Sequence, residues 1–148
     1  MEIKDLFDPQ VRQEMLDRIN RLTPQTKRLW GKMDVAQMLA HVQRPINFAY
    51  GHHSIKGSPL LKIIGPLFKT VLYNEKPYKQ GLPTDPTYIV KEEKNFETEK
   101  QQLLDLLHHF SPENIGDKKH PVFGKMTREQ WSRATWKHLD HHLKQFGV

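Results

Sequence analysis

Residues 127–147 read TREQWSRATWKHLDHHLKQFG, and the fold turns on this stretch. Thr127 followed three residues later by Gln130 is a capping-box pattern, so a helix starts there. It is predicted to run to Phe146, with Gly147 suited to the position just past the end. Successive helical residues rotate by about 100°, so residues four apart lie ~40° apart and about 6 Å along the axis. Trp131, Thr135, His138, His142 and Phe146 therefore share one face. Leu139 and Leu143 flank it on one side, Ala134 and Gln145 on the other, and His141 sits at its edge. Two histidines at i and i+4 pointing inward form a two-point metal clamp, because both rings can reach one ion.

Upstream, residues 34–51 read DVAQMLAHVQRPINFAYG. Asp34 and Gln37 form a second capping-box pattern, with Asp in the Ser/Thr place. Val35, Met38, Leu39, Val42, Ile46 and Ala49 follow as one apolar stripe. Pro45 falls inside it and is expected to kink or end the helix. His41 lies beside the stripe. If this helix packs against the last one, His41, His138 and His142 converge on one point. Three histidines leave positions open for water or substrate, the pattern of a catalytic rather than a structural zinc-type site. Against this stands a plainer reading, in which the three are core or surface histidines satisfied by hydrogen bonds.

The rest of the chain punctuates itself with proline and glycine. Asp8–Pro9 is an N-cap followed by proline, opening a helix to about Leu22. A short helix is expected from Ser58–Pro59 through Tyr73, disturbed at Gly65–Pro66. Residues 74–88 hold three prolines and a glycine and read as a loop. A long helix is expected from about Glu92 to Phe110, with Phe96, Lys100, Leu103, Leu107 and Phe110 on one face. A loop from Ser111 reaches Met126. Strand-like alternation is nearly absent. The expected fold is all-α: a single domain over residues 1–148, built as a four-helix bundle with one extra short helix and long loops.

The whole-chain numbers agree with that size. The 148 residues (17.5 kDa) make one ordinary domain, and such a chain buries at most roughly 69% of its extended surface on folding. There is no cysteine, which excludes disulfides, a thiolate nucleophile from the protein and Cys-ligated metal sites. The opening MEIKDLFDPQ has no apolar run and does not read as a signal peptide. The most apolar stretch, Pro59 to Tyr73, is too short to span a membrane. A cytoplasmic protein without membrane contact is expected. The net charge is +6 and the isoelectric point near 9.5, but the charges are interleaved, as in KEEKNFETEK at 91–100. That pattern marks a solvated surface, and nucleic acid is not an expected partner.

Nine histidines are the oddity of the composition. The pairs His52–His53 and His108–His109 read as surface or loop residues. His120 precedes the last helix in HPVFG, where it is either a residue of the site's rim or a loop histidine. Trp131 and Trp136 read as core. A zincin-type mechanism needs Glu directly after the first histidine, whereas Leu139 follows His138. Asp140 lies across the helix, away from the pair. Ser132 and Thr135 have no triad partners in view.

The segments WGKMDVAQMLAHV at 30–42 and HLDHHLKQFG at 138–147 resemble the DinB/YfiT-like superfamily of small helical metalloenzymes. HPVFGKMTREQW at 120–131 is similar to a sub-branch of it, and the resemblance runs in order through nearly the whole chain. In that family one histidine comes from the second main helix and two from an HxxxH in the last. His41, His138 and His142 occupy those positions, and His141 and Gln145 fill out the pattern. The resemblance implies one divalent metal ion, with zinc or nickel foremost, and a small-molecule substrate such as a low-molecular-weight thiol. A metal-held thiol ionises at neutral pH; the resemblance favours thiol transfer, and the missing Glu beside His138 leaves water without an obvious base. Alternatives are hydrolysis, with the pKa of water lowered toward ~7, or a non-catalytic bundle that binds metal or a partner. Bundles of this kind often pair as homodimers. The longer relatives' added thiol-recognition domain has no counterpart here.

Overall fold

A computed structural model describes residues 1–52, 65–82, 88–116, 119–120 and 122–148. Among the described residues the main helices are α1 (Pro9–Asn20), α2 (Val35–Ala49), α3 (Phe96–His108) and α4 (Arg128–Gln145). Short 3-10 turns span Lys69–Leu72 and Pro112–Asn114. The described residues contain no strand; an isolated bridge between His120 and Gly124 is their one sheet-like pairing. The all-α expectation holds for them.

Each helix starts on a side-chain cap. Asp8 accepts from the Gln10 N–H with Pro9 just inside α1. Asp34–Gln37 and Thr127–Gln130 form complete capping boxes on α2 and α4. Asn95 accepts from the Thr98 N–H on α3. Each such cap is worth about 1 kcal/mol. The Asn95 cap moves the start of α3 later than Glu92. The charged run before it has little apolar surface to bury, and the carbonyls of Lys91 and Glu92 instead accept from the Gln37 side chain. At its other end α3 stops at His108. Likewise α1 ends at Asn20 rather than Leu22, although Leu22 is still buried.

Pro45 does not end α2, which runs four residues past it to Ala49. An interior proline costs about 3 kcal/mol. Ile46 and Phe48, both buried just beyond it, each return about 1.5–3 kcal/mol, so continuing the helix is favourable. The short helix expected between Ser58 and Tyr73 falls largely outside the described residues. Its described end is a helical turn at 65–68 followed by the Lys69–Leu72 turn.

The hydrogen bonds between elements give the helix directions. Gln43 reaches Glu99 and Tyr50 reaches the Leu106 carbonyl, so α2 and α3 run parallel. His41 meets His138 while Phe48 meets Trp131, so α2 and α4 run antiparallel. The Leu6 N–H donates to Ser132 and Arg18 pairs with Asp140, which sets α1 parallel to α4. Arg12 reaches the Phe110 carbonyl and Lys100 reaches those of Asn20 and Leu22, which sets α1 antiparallel to α3. The core fills the space between them with Met15 and Ile19 of α1, Met38, Leu39 and Ile46 of α2, Leu103 and Leu107 of α3, and Leu139 and Leu143 of α4. Trp131 and Trp136 are both buried. The antiparallel contact of α2 with α4 is what brings His41 to the HxxxH face.

Candidate metal centre

His41, His138 and His142 come together: one ring nitrogen from each lies within 4.8 Å of the other two. The ring centroids form a near-equilateral triangle, with sides of 5.0 Å (His41–His138), 4.7 Å (His41–His142) and 4.7 Å (His138–His142). His41 and His142 are buried, and His138 is half-buried.

The hydrogen bonds behind two of the rings orient them. His41 Nδ1 lies 2.7 Å from the carbonyl oxygen of Tyr88. A carbonyl only accepts, so Nδ1 carries the hydrogen and the lone pair of the neutral ring sits on Nε2. His142 Nδ1 lies 2.8 Å from Oε1 of Gln145. The Gln145 amide nitrogen donates to the Trp30 carbonyl at 2.8 Å, which fixes the amide's orientation. His142 Nδ1 therefore also carries the hydrogen, and its Nε2 is free to ligate. Such outer bonds are the usual way a protein sets the tautomer of a metal-binding histidine.

One pair of inner atoms has the spacing a metal needs. Nε2 of His41 and Nε2 of His138 are 3.1 Å apart. Two nitrogens at ~2.0–2.1 Å from a tetrahedral zinc lie about 3.3 Å from each other. With the His41 Nε2 hydrogen already excluded, only a hydrogen on His138 or a cation between the rings relieves the facing lone pairs. The residues present fit a single divalent ion with three imidazole ligands.

Electrostatics keep the rings neutral and so able to ligate. Burial pushes His41 below the ordinary histidine range, against the Tyr88 hydrogen bond, which pulls it up. Burial, reinforced by its histidine neighbours, holds His138 well below that range. His142 is lowered to about 3, by burial first and then by His41. Among the described residues, no Asp or Glu is among the charges acting on these three rings.

The other candidates separate from the cluster. His141 packs at the edge, its ring 5.1 Å from His142, 5.9 Å from Trp30 and 5.5 Å from Tyr78. His120 is a loop histidine rather than a rim residue. Its Nδ1 accepts from the backbone N–H groups of Val122 and Phe123, and its ring packs on Phe48, Phe123 and Trp131, the last about two helical turns from His138. Asp140 faces away, gripped by Arg18 and Lys144. Ser132 donates to Asp5 and accepts from the Leu6 N–H, a structural tie to the N-terminal segment. His52, His108 and His109 are exposed, and His53 lies outside the described residues. His52 and His109 border an open cleft of about 490 Å³ between α2 and α3, with Asn47, Tyr50 and Asn114, apart from the three-histidine cluster.

Two contributors are absent from the motif reading, and a third, Gln145, belongs to the last helix's pattern without an assigned role. Tyr88 acts through its backbone carbonyl, for which no side-chain signal exists. Gln145 turns out to orient His142, three residues before it on the same helix. Gly31 has φ +84°, and a Cβ there would stand 2.3 Å from Nε2 of Gln145, so glycine is what lets the 28–33 loop close on that amide.

Among the described residues no helix is long and apolar enough to cross a membrane. No curated protein and no solved structure matches the chain. A family model described as a protein of unknown function (DUF1569) matches residues 5–147. With nearly its whole length so matched, the chain belongs to the DUF1569 family.

Proposed function

We propose that this protein is a DinB/YfiT-like four-helix bundle and a metal-dependent enzyme, with His41, His138 and His142 holding one zinc or nickel ion and a small-molecule thiol as its nucleophilic substrate. The observation that carries the reading is the commitment of two Nδ1 hydrogens, to Tyr88 and Gln145, which turns two lone pairs onto the point that His138 also faces. Three neutral imidazoles suit zinc, nickel, iron or copper, and availability decides among them. When bound, the ion supplies a Lewis-acidic position at which a thiol loses its proton at neutral pH.

The chain's own residues provide the rest. The α2–α4 contact positions the ligands before any metal arrives. Tyr88 and Gln145 hold two rings in one tautomer and one orientation. Thiol transfer is favoured over hydrolysis because, among the described residues, no carboxylate is among the charges acting on the three rings, where a base toward water would stand.

Metal analysis of the purified protein tests this directly. About one divalent ion per chain is expected, and His138→Ala or His142→Ala should release it. A protein that takes up no metal after reconstitution with zinc and with nickel would rule the reading out. Metal-dependent consumption of a thiol by the loaded protein separates an enzyme from a metal-storage module.

A further inference from the structure

The surroundings of the cluster restrict what it can accept. The three ligands are uncharged. Among the described residues, the charged side chains that act on them or on the neighbouring His141 are Arg44, Lys137, Lys144 and Asp140. Asp140 is the single acid of that set, and it is neutralised by Arg18 at 2.9 Å and Lys144 at 2.8 Å. Lys137 is a buried cation with no carboxylate partner among the described residues. Its ammonium donates to the carbonyls of Val71 (2.7 Å) and Asn74 (2.9 Å) and to Oδ1 of Asn74 (2.9 Å). A divalent ion on three neutral ligands keeps its full +2 charge, and the local field adds to it rather than offsetting it. Sites bound by one or two carboxylates have already lost much of that charge.

The second restriction is shape and polarity. Rings extend outward from the cluster in unbroken contact. Tyr88 meets His41 edge-on at 6.4 Å, and His141 meets His142 at 5.1 Å. Trp30 and Tyr78 then meet His141 at 5.9 and 5.5 Å. Tyr78 is itself fixed by the Lys137 ammonium, 4.4 Å above its ring. Trp30, Tyr78, Tyr88 and His141 are each half-buried residues, and aromatic rings pack best on a planar apolar body.

We propose that the centre selects a small organic monoanion, a thiolate or carboxylate, carried on an aromatic body, with the anionic head at the metal and the ring against Trp30 and Tyr78. This rests on the three-histidine metal reading and deepens it. Trp30 and Tyr78 are then specificity-determining residues that touch the ligand's ring and not its charge.

The test uses the full chain loaded with cobalt(II), whose visible spectrum reports on its ligands, with benzoate, acetate and benzylamine as probes. Benzoate should perturb the spectrum at roughly tenfold or more lower concentration than acetate, as expected for one or more aromatic contacts, and benzylamine should leave it unchanged. Trp30→Ala removes the ring while keeping the carbonyl that receives the Gln145 bond. It should weaken benzoate about three- to tenfold and leave acetate unaffected. Tyr78→Leu gives a second reading if the first variant folds poorly. Equal affinity for benzoate and acetate, or a response to benzylamine matching that to benzoate, overturns this proposal while the metal reading stands. Failure of the protein to retain cobalt, zinc and nickel alike at about one per chain overturns both, and that outcome is recognisable before any probe is added; a protein that holds zinc but not cobalt is titrated with the same probes by calorimetry.

Discussion

Gln145 braces His142 from behind: its Oε1 sits 2.8 Å from His142 Nδ1 while its Nε2 donates to the Trp30 carbonyl. The same residue's backbone carbonyl accepts from the Leu29 N–H at 2.7 Å. One side chain thus ties a ligand ring to the loop that carries the Trp30 face of the site. Removing such an outer partner typically lowers metal affinity 10- to 100-fold. Gln145→Ala is therefore expected to weaken zinc binding by about that factor, measured by competition with a chromophoric chelator. Gln145→Glu keeps an acceptor for the His142 hydrogen but loses the donor to Trp30, and should fall between the two. An unchanged affinity in Gln145→Ala would show that packing alone orients His142.

Gly31 tests the same brace from the loop side. Its φ of +84° strains any side chain, and an added Cβ would stand 2.3 Å from Nε2 of Gln145. Gly31→Ala is expected to cost roughly 1–3 kcal/mol of stability, and to lower zinc affinity by displacing Gln145. A variant that loses stability but binds zinc as tightly as before would uncouple the loop from the centre.

Acid should destabilise the metal-free protein through its buried histidines. His142 has a folded value of about 3 against 6.5 for the free side chain, and His41 and His138 shift the same way. A depressed value means that the unfolded chain binds protons the folded one refuses. Stability is then full above about pH 6.5 and declines as pH falls from there toward 3. One such group contributes up to about 1.4 kcal/mol per pH unit inside that window. The three rings interact, so the slope belongs to the cluster. Urea midpoints of metal-free protein should be flat above neutrality and fall between pH 6.5 and 5, less steeply in His142→Gln. A midpoint unchanged between pH 7 and 5 would contradict the burial of neutral rings.

Much of this architecture can be read from residue spacing because helices have a strict period. The HxxxH pair lies on one face of α4 whatever surrounds it, and the capping boxes at Asp34 and Thr127 appear in the structure as their letters suggest. His41 was legible only in part, because its partners depend on how α2 packs, which spacing does not encode. Tyr88 joins the centre through a backbone atom that every residue possesses. Lys137 reads as one more surface cation in a basic helix, yet the segment around Val71 and Asn74 folds over it and removes it from solvent. Pro45 left two outcomes open, a kink or an end, and the helix runs on past it because burial on its far side outweighs the local cost.

Lys137 yields a prediction of its own. It is fully buried, and all three ammonium hydrogens are spent on Val71 and Asn74. Burial draws its pKa down to about 8. Lys137→Met keeps much of the stem but strands three acceptors, at about 1–3 kcal/mol for each left unsatisfied and less where water reaches them. The variant should therefore be clearly less stable, by at least about 1 kcal/mol. An unfolding midpoint equal to that of the parent would mean that water takes over the role of the ammonium.

Asp140 is the control for the whole site, since it sits between His138 and His142 in sequence but on the far side of the helix. Its carboxylate is buried and receives Arg18 at 2.9 Å and Lys144 at 2.8 Å. The guanidinium also donates to the Val148 carbonyl at 2.9 Å, so this network fastens α1 and the chain's last residue to α4. Lys144 is largely exposed and its share is small. Arg18 is mostly covered, and leaving it without its partner costs about 2–4 kcal/mol. Asp140→Ala is thus expected to lower the urea midpoint substantially while still binding one metal ion per chain with parental affinity. A variant that folds normally but loses the metal would place Asp140 in the centre and refute the face assignment on which the three-histidine geometry depends.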